Sequence, residues 1–170
     1  QYGIAVMMLS APAAVIGQSV SQAFLQHIGR SGGDHADLRS ATYRVWLGLA
    51  ALGLVPFGAI LAAGPLVFEF GFGEQWTQAG QISQWLSLLL LCRFISSPTS
   101  TLFWKLELQR AQWYFVLAAA TYRTAIYGSL FFGIELRTVI IAHVIIEIFA
   151  IVCANLFVLS RLKMGRLDYT

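Results

Sequence analysis

The chain is 170 residues long, 58% hydrophobic and only 11% charged, with a formal net charge of +3. Ordinary soluble domains are about one-quarter charged, so this composition excludes one, and its apolar richness excludes disorder. The basic residues are too dispersed for a nucleic-acid surface, and the expected fold class is all-α integral membrane.

A bilayer crossing needs about 20 mostly apolar residues. Five segments qualify: 4–28, 41–61, 82–104, 113–132 and 139–159. The first carries Ser10, Gln18, Ser21, Gln22 and Gln26. Such a stripe faces a cavity or a neighbouring helix more readily than lipid. The glycine-rich stretch "GRSGGDHADLRS" follows as a short flexible loop. The second segment contains Gly48, Gly53, Pro56 and Gly58, which permit close packing and a bend. After it, "FEFGFGEQW" is too short to span and holds Glu69 and Glu74. It is expected as an interfacial or re-entrant turn.

The third segment poses the main question, because Arg93 follows "LLLLC" and precedes Phe94 and Ile95. A charge at the centre of a membrane helix costs about 2.5–3.5 kcal/mol on insertion scales. Arg93, Ser97, Ser100 and Trp104 are spaced by four, three and four, which makes one narrow polar stripe. Pro98 falls inside it and is expected to act as a kink or hinge. A lone membrane serine usually bonds back to its own helix, so the arginine gives the stripe its interest. The fourth segment places Arg123 on a face with Gln112, Ala119, Ala120 and Tyr127. The fifth carries His143 and Glu147 one turn apart, on the same face. "HVIIE" lacks the second histidine of a zinc-protease helix, and there is no phosphate loop or nucleophile elbow. Neither a metal nor a cofactor is expected. Cys92 and Cys153 lie in apolar runs and read as small buried residues.

Charge in the connections sets the direction. Arg30 and Arg39 precede the second crossing and Arg44 lies at its start, Lys105 and Arg110 follow the third, and Arg161, Lys163 and Arg166 follow the fifth. Of the remaining connections, one holds Glu69 and Glu74 and the other holds Glu135 and Arg137. Eight loop bases against one put the first group on the cytoplasmic side. The chain would then enter from outside and end inside. Trp76, Trp85, Trp104 and Trp113 lie near segment ends, as an aromatic belt requires. The odd crossing number, with Gln1 opening an apolar run, leads us to expect part of a longer protein.

Counted from the cytoplasmic ends, Arg93 lies about 18 Å deep, Arg123 about 15 Å and Glu147 about 19 Å. They would share one layer. Glu147 is expected to pair with Arg123, with His143 beside it as part of an ion-pair or proton-relay group. Two arginines against one carboxylate leave about one positive charge, which calls for water or an anion nearby.

Two motifs carry a resemblance. "FGFGEQWTQAG" after a crossing and "FISSPTS" on the next helix, with "APAAVIGQSVSQAFLQHI" upstream, are similar to the C-terminal half of bacterial polysaccharide flippases. These are the Wzx-like branch of the multidrug/oligosaccharidyl-lipid/polysaccharide exporter superfamily. The resemblance covers most of the chain. It implies a two-bundle transporter of the bacterial inner membrane, with residues 1–170 supplying most of the second bundle and an N-terminal bundle of the same chain as partner. The substrate implied is an undecaprenyl-diphosphate-linked oligosaccharide, moved between leaflets by alternating access. Arg93 and Arg123, with Ser97 and Ser100, are the residues expected to meet its head group. Arginine suits a diphosphate because its planar fork donates in parallel and stays charged. The rival expectations are a drug or cation exporter of the same superfamily and a non-transporting membrane scaffold. An enzyme is not expected.

Overall fold

The computed structural model describes residues 14–26 and 35–164. Every element among them is helical. Helix α1 covers 14–26. It is followed by α2 (His35–Phe72), α3 (Thr77–Ile95), α4 (Thr99–Lys105), α5 (Gln109–Gly128) and α6 (Leu136–Met164). Two 3-10 turns, Glu74–Trp76 and Ser129–Phe132, join α2 to α3 and extend α5. Four helical stretches are long and apolar enough to cross a membrane: Asp37–Phe72, Glu74–Lys105, Gln109–Phe132 and Leu136–Lys163. The chain is therefore a helical protein suited to a multi-pass membrane setting. The ends of the first expected crossing, 4–13 and 27–28, lie outside the described residues. Its described part, α1, is about 20 Å long, less than a full span.

Helix α2 is longer than the expected 41–61. It runs for 38 residues: the apolar sequence continues through Pro65 to Phe72, and residues 35–40, expected as part of a flexible loop, form its first turns. A straight helix of that length would measure about 57 Å, nearly twice the hydrocarbon core of about 30 Å. It bends instead. Ala63 leaves helical geometry at φ −135° and ψ 29°. Pro65 has no N–H, so the carbonyl four residues before it, on Leu61, loses its usual donor. Gln84 on α3 supplies a replacement, its Nε2 donating to the Leu61 carbonyl at 2.9 Å. One side-chain amide thus meets the carbonyl that the proline leaves without its donor at the kink. Gln84→Ala should remove that bond and destabilise the protein by about 0.5–1.5 kcal/mol. Thermal unfolding of the full chain in nanodiscs would measure it; an unchanged melting temperature would mean the bond contributes nothing.

Beside this bend the two backbones touch. A Cβ on Gly64 would lie 2.6 Å from the Gly80 carbonyl oxygen, and a Cβ on Gly80 would lie 2.6 Å from that of Gly64. Small residues allow such backbone approach between membrane helices. Backbone cannot move aside as a flexible side chain can. Gly80→Ala should therefore push α2 from α3 and cost on the order of 1–3 kcal/mol. Gly128→Ala, whose Cβ would meet nothing within 4 Å, is the matched control, and equal effects on unfolding would refute the packing argument.

The chain reverses at Gly73, whose φ of +94° favours glycine. The expected interfacial turn at "FEFGFGEQW" is thus part helix and part turn: its first five residues end α2, and its last three form the 3-10 turn. Phe70 is 97% exposed there. The third expected crossing, 82–104, is also divided. Helix α3 ends at Ile95 and α4 begins at Thr99, with Pro98 just before it. The expected break at the proline is present.

Packing clusters mark three levels. At one end Phe24 of α1, Leu38 of α2, Leu102 and Phe103 of α4, and Val158 and Leu162 of α6 converge. In the middle, Leu49 and Phe57 of α2 meet Leu90 and Phe94 of α3, while Leu86 and Leu89 of α3 meet Val144 of α6. At the other end Phe68 packs with Ala79 and Trp76. Helix α3 is the hub, flanked by α2 and α6. Helix α5 has no buried residue and lies outermost against α6.

Candidate functional site

The arginine in the third segment has found its counter-charge. Arg93 Nη2 donates to Glu147 Oε1 at 2.5 Å. Arg123 makes two bonds to the same carboxylate: Nε donates to Oε2 at 3.1 Å, and Nη2 donates to Oε1. The expected Glu147–Arg123 pair is therefore present, and Arg93 shares the acceptor. Helices α3, α5 and α6 each contribute one charge, so the triad ties three helices at one level.

Burial is uneven across it. The Glu147 side chain is 7% exposed, whereas Arg93 and Arg123 keep 43% and 42% of theirs. The carboxylate forms the buried centre and the two cations its open flanks. Formal charge sums to about +1 for the three groups, because two cations share one carboxylate. The position of Arg93 also helps: it lies in the last turn of α3, where the helix dipole favours a cation. The α3–α4 break thus creates a helix C-terminus beside Arg93.

Helix α6 presents more than the carboxylate. His143, one turn earlier, is 7% exposed and its ring lies 5.4 Å from that of Tyr127 on α5. Two turns beyond Glu147 stands Asn155. Its Nδ2 donates to Ser96 Oγ at 2.7 Å, and Thr99 Oγ1 donates to its Oδ1 at 2.6 Å. Asn155 therefore grips both sides of the break with the two ends of one amide. Its role escaped sequence reading, although an asparagine within "IVCANLFVL", at helical spacing from Glu147, was the available signal. Asn155→Leu should loosen the α3–α4 break and destabilise the protein by about 1–3 kcal/mol. Hydrogen exchange at Ser96 to Thr101 would report it, and unchanged exchange would contradict the clamp.

A groove of about 540 Å³ lies on the other side of α3, against α1. Arg93, Ser97, Ser100 and Thr101 line one wall, and Gln18, Ser21 and Gln22 of α1 line the other. The stripe expected on the third segment thus faces the stripe expected on the first. Trp104, the stripe's fourth member, is 64% exposed and does not line the groove. Arg93 is the only ionisable residue lining it, among the described residues. Its guanidinium bonds Glu147 while the residue also flanks the groove.

The serines divide in behaviour. Ser100 Oγ donates to the Ser97 carbonyl at 3.0 Å, the usual back-bond of a helical serine. Ser97 Oγ is buried and has no hydrogen-bond partner among the described residues. A Cβ on Gly17 would lie 3.2 Å from it, which places this hydroxyl against α1. Arg123 does not line the groove. Both arginines meet one carboxylate, and of the two only Arg93 also borders this groove.

Among the described residues no cluster of histidine, cysteine or carboxylate could hold a metal ion. Cys92 and Cys153 are free thiols, each partly buried. Compared with protein-family models, with curated proteins and with solved structures, the chain matches none.

Proposed function

We propose that the chain forms part of a multi-pass transporter that moves a lipid-diphosphate-linked oligosaccharide between leaflets. The supporting observation is Arg93, held by Glu147 at one edge of a groove in which it is the one cation among the described residues. The groove walls set amide and hydroxyl side chains and one cation among apolar residues, with Leu25, Leu90 and Phe94 beside them. That lining suits an anionic head group that binds and then leaves. Arg93 would meet the diphosphate with the donors Glu147 does not occupy, since a guanidinium carries five N–H groups.

The lipid tail would stay in the bilayer while the head group follows the groove. The α3–α4 break and the α2 bend supply two points at which one set of helices can rock against another. On this reading the first segment is a fifth crossing, the Lys/Arg-rich connections are cytoplasmic, and the setting is the bacterial inner membrane. A second helix bundle would close the open face of α5. The similarity of "FGFGEQWTQAG" and "FISSPTS" to polysaccharide flippases supports the substrate class.

Cation export is the main rival within the same superfamily. It needs an acidic cavity, and the described groove contains no carboxylate. Proteoliposomes containing the full-length protein separate the two. Movement of an undecaprenyl-diphosphate oligosaccharide, with none of a lipophilic cation, is expected. Cation movement alone would overturn the proposal.

A further inference from the structure

A second cavity, of about 860 Å³, opens at the other end of the bundle, between α2, α3 and the start of α6. Its polar lining comprises Gln78, Gln81 and Gln84 of α3, with Glu135 and Arg137 from the beginning of α6. Trp85 adds an aromatic wall, and its side chain is 44% exposed. Gln84 lies nine residues before Arg93 on the same helix, about 13 Å along its axis. The two cavities are distinct in their walls: one faces α1, the other α2 and α6.

We propose that this cavity binds the sugar portion of a neutral oligosaccharide. Charge comes first. Glu135 and Arg137 cancel formally, so the lining favours neither an anion nor a cation. The three glutamines each present both a donor and an acceptor. They stand three residues apart, and three of them on a single helix wall suit a ligand that offers many groups able to donate and accept, as hydroxyls do. Gln84 is already oriented, since its Nε2 donates to the Leu61 carbonyl. That fixes the plane of its amide and pre-orders one contact.

The apolar part fits the same ligand. Leu61, Pro65, Ile82 and Ile140 complete the lining beside Trp85. A pyranose has hydroxyls at its rim and C–H groups on its faces. The rim can meet the amides while a face lies on the indole. The volume is in the range of pockets that hold drug-sized molecules, which suits a short oligosaccharide rather than one sugar. A peptide also has donors and acceptors, but it lacks the repeated ring face that an aromatic wall selects. This site extends the transport reading to the sugar end of the cargo, yet its binding is measurable without translocation.

The test uses the full-length protein in lipid nanodiscs prepared without glycoside detergents. Saturation-transfer NMR would be recorded with short neutral oligomers of glucose, galactose, mannose and N-acetylglucosamine, and with triglycine as comparator. At least one sugar series should show transfer, and triglycine should not. Gln81→Ala, at an exposed position that should not affect folding, should weaken that binding about tenfold. Trp85→Phe should retain part of it, while Trp85→Ala should abolish it, with unfolding temperature recorded for each. No transfer from any sugar would overturn the proposal, as would equal transfer from triglycine or undiminished sugar binding in both Gln81→Ala and Trp85→Ala. Displacement of the sugar by phosphoethanolamine would instead assign the cavity to a lipid head group and would also overturn it. Failed translocation with intact sugar binding would remove the transport reading and leave this site standing; the reverse outcome would do the opposite.

Discussion

Glu147→Gln is expected to be the most destabilising single change in the charged layer, at about 3 kcal/mol. The substitution keeps size and polarity and removes one negative charge. Both arginines then lose their shared counter-ion. Breaking a buried ion pair by removing one partner costs about 3–5 kcal/mol, and the low end applies because both guanidiniums are partly exposed. Glu147 itself is almost wholly buried, so water cannot readily take its place. The arrangement also predicts how the loss can be relieved. Arg123 makes two bonds to the carboxylate and Arg93 makes one. Adding Arg123→Gln to Glu147→Gln should therefore recover more stability than adding Arg93→Gln. Thermal unfolding of the full chain in nanodiscs, arranged as two double-mutant cycles, would show the difference. A Glu147→Gln protein as stable as the parent would mean that the triad contributes little to holding α3, α5 and α6 together.

Arg93→Lys is the second large effect, and it falls on transport rather than on folding. Lysine retains a cation for Glu147 but presents a compact ammonium in place of a planar fork. Arg93 bonds the carboxylate through Nη2. A guanidinium has further N–H groups for a phosphate beside the groove, and lysine loses that parallel geometry. Translocation in proteoliposomes should fall by at least about tenfold, while the unfolding temperature changes little. Arg123→Lys should show the converse. Arg123 holds Glu147 through two nitrogens and does not line the groove, so stability should fall more than transport. Equal transport losses from both lysine substitutions would remove the distinction between a head-group arginine and a structural one.

Much of the charged layer was legible because the bilayer penalises charge so strongly. Few residues can carry charge inside an apolar run without a partner at the same depth, and Arg93, Arg123 and Glu147 were the obvious set. Spacing along each helix placed them at one level. Spacing could not show that two arginines would share one carboxylate, because that depends on how α5 is rotated against α6. The same limit applies to the groove. The polar stripes of α1 and α3 were visible separately, and their meeting across the groove is tertiary.

Helix boundaries were less legible. Apolar composition does not stop at Leu61, and where α2 bends before Pro65 the Leu61 carbonyl takes a donor from Gln84, 23 residues away. Local sequence favours a break there, the kink at Ala63 is that break, and a distant side chain caps the carbonyl it frees. The approach of Gly64 and Gly80 is equally non-local, although both glycines lie in the stretch that joins the second and third segments. Pro98 was the easier case, since its effect on its own helix is local. The clamp on that break by Asn155 came from another helix, as did the meeting of Tyr127 with His143.

The most direct test of head-group handling by Arg93 is surface polysaccharide in a strain that lacks its own flippase. The full-length protein would be supplied as the parent, as Arg93→Ala and as Ser160→Ala, with the amount of folded membrane protein measured beside the polysaccharide. Ser160 is a fair control because its hydroxyl bonds back to its own helix and it lines neither cavity. The parent and Ser160→Ala should restore polysaccharide, and Arg93→Ala should not, at comparable protein level. Normal polysaccharide from Arg93→Ala at normal protein level would contradict the assignment of that arginine to the head group.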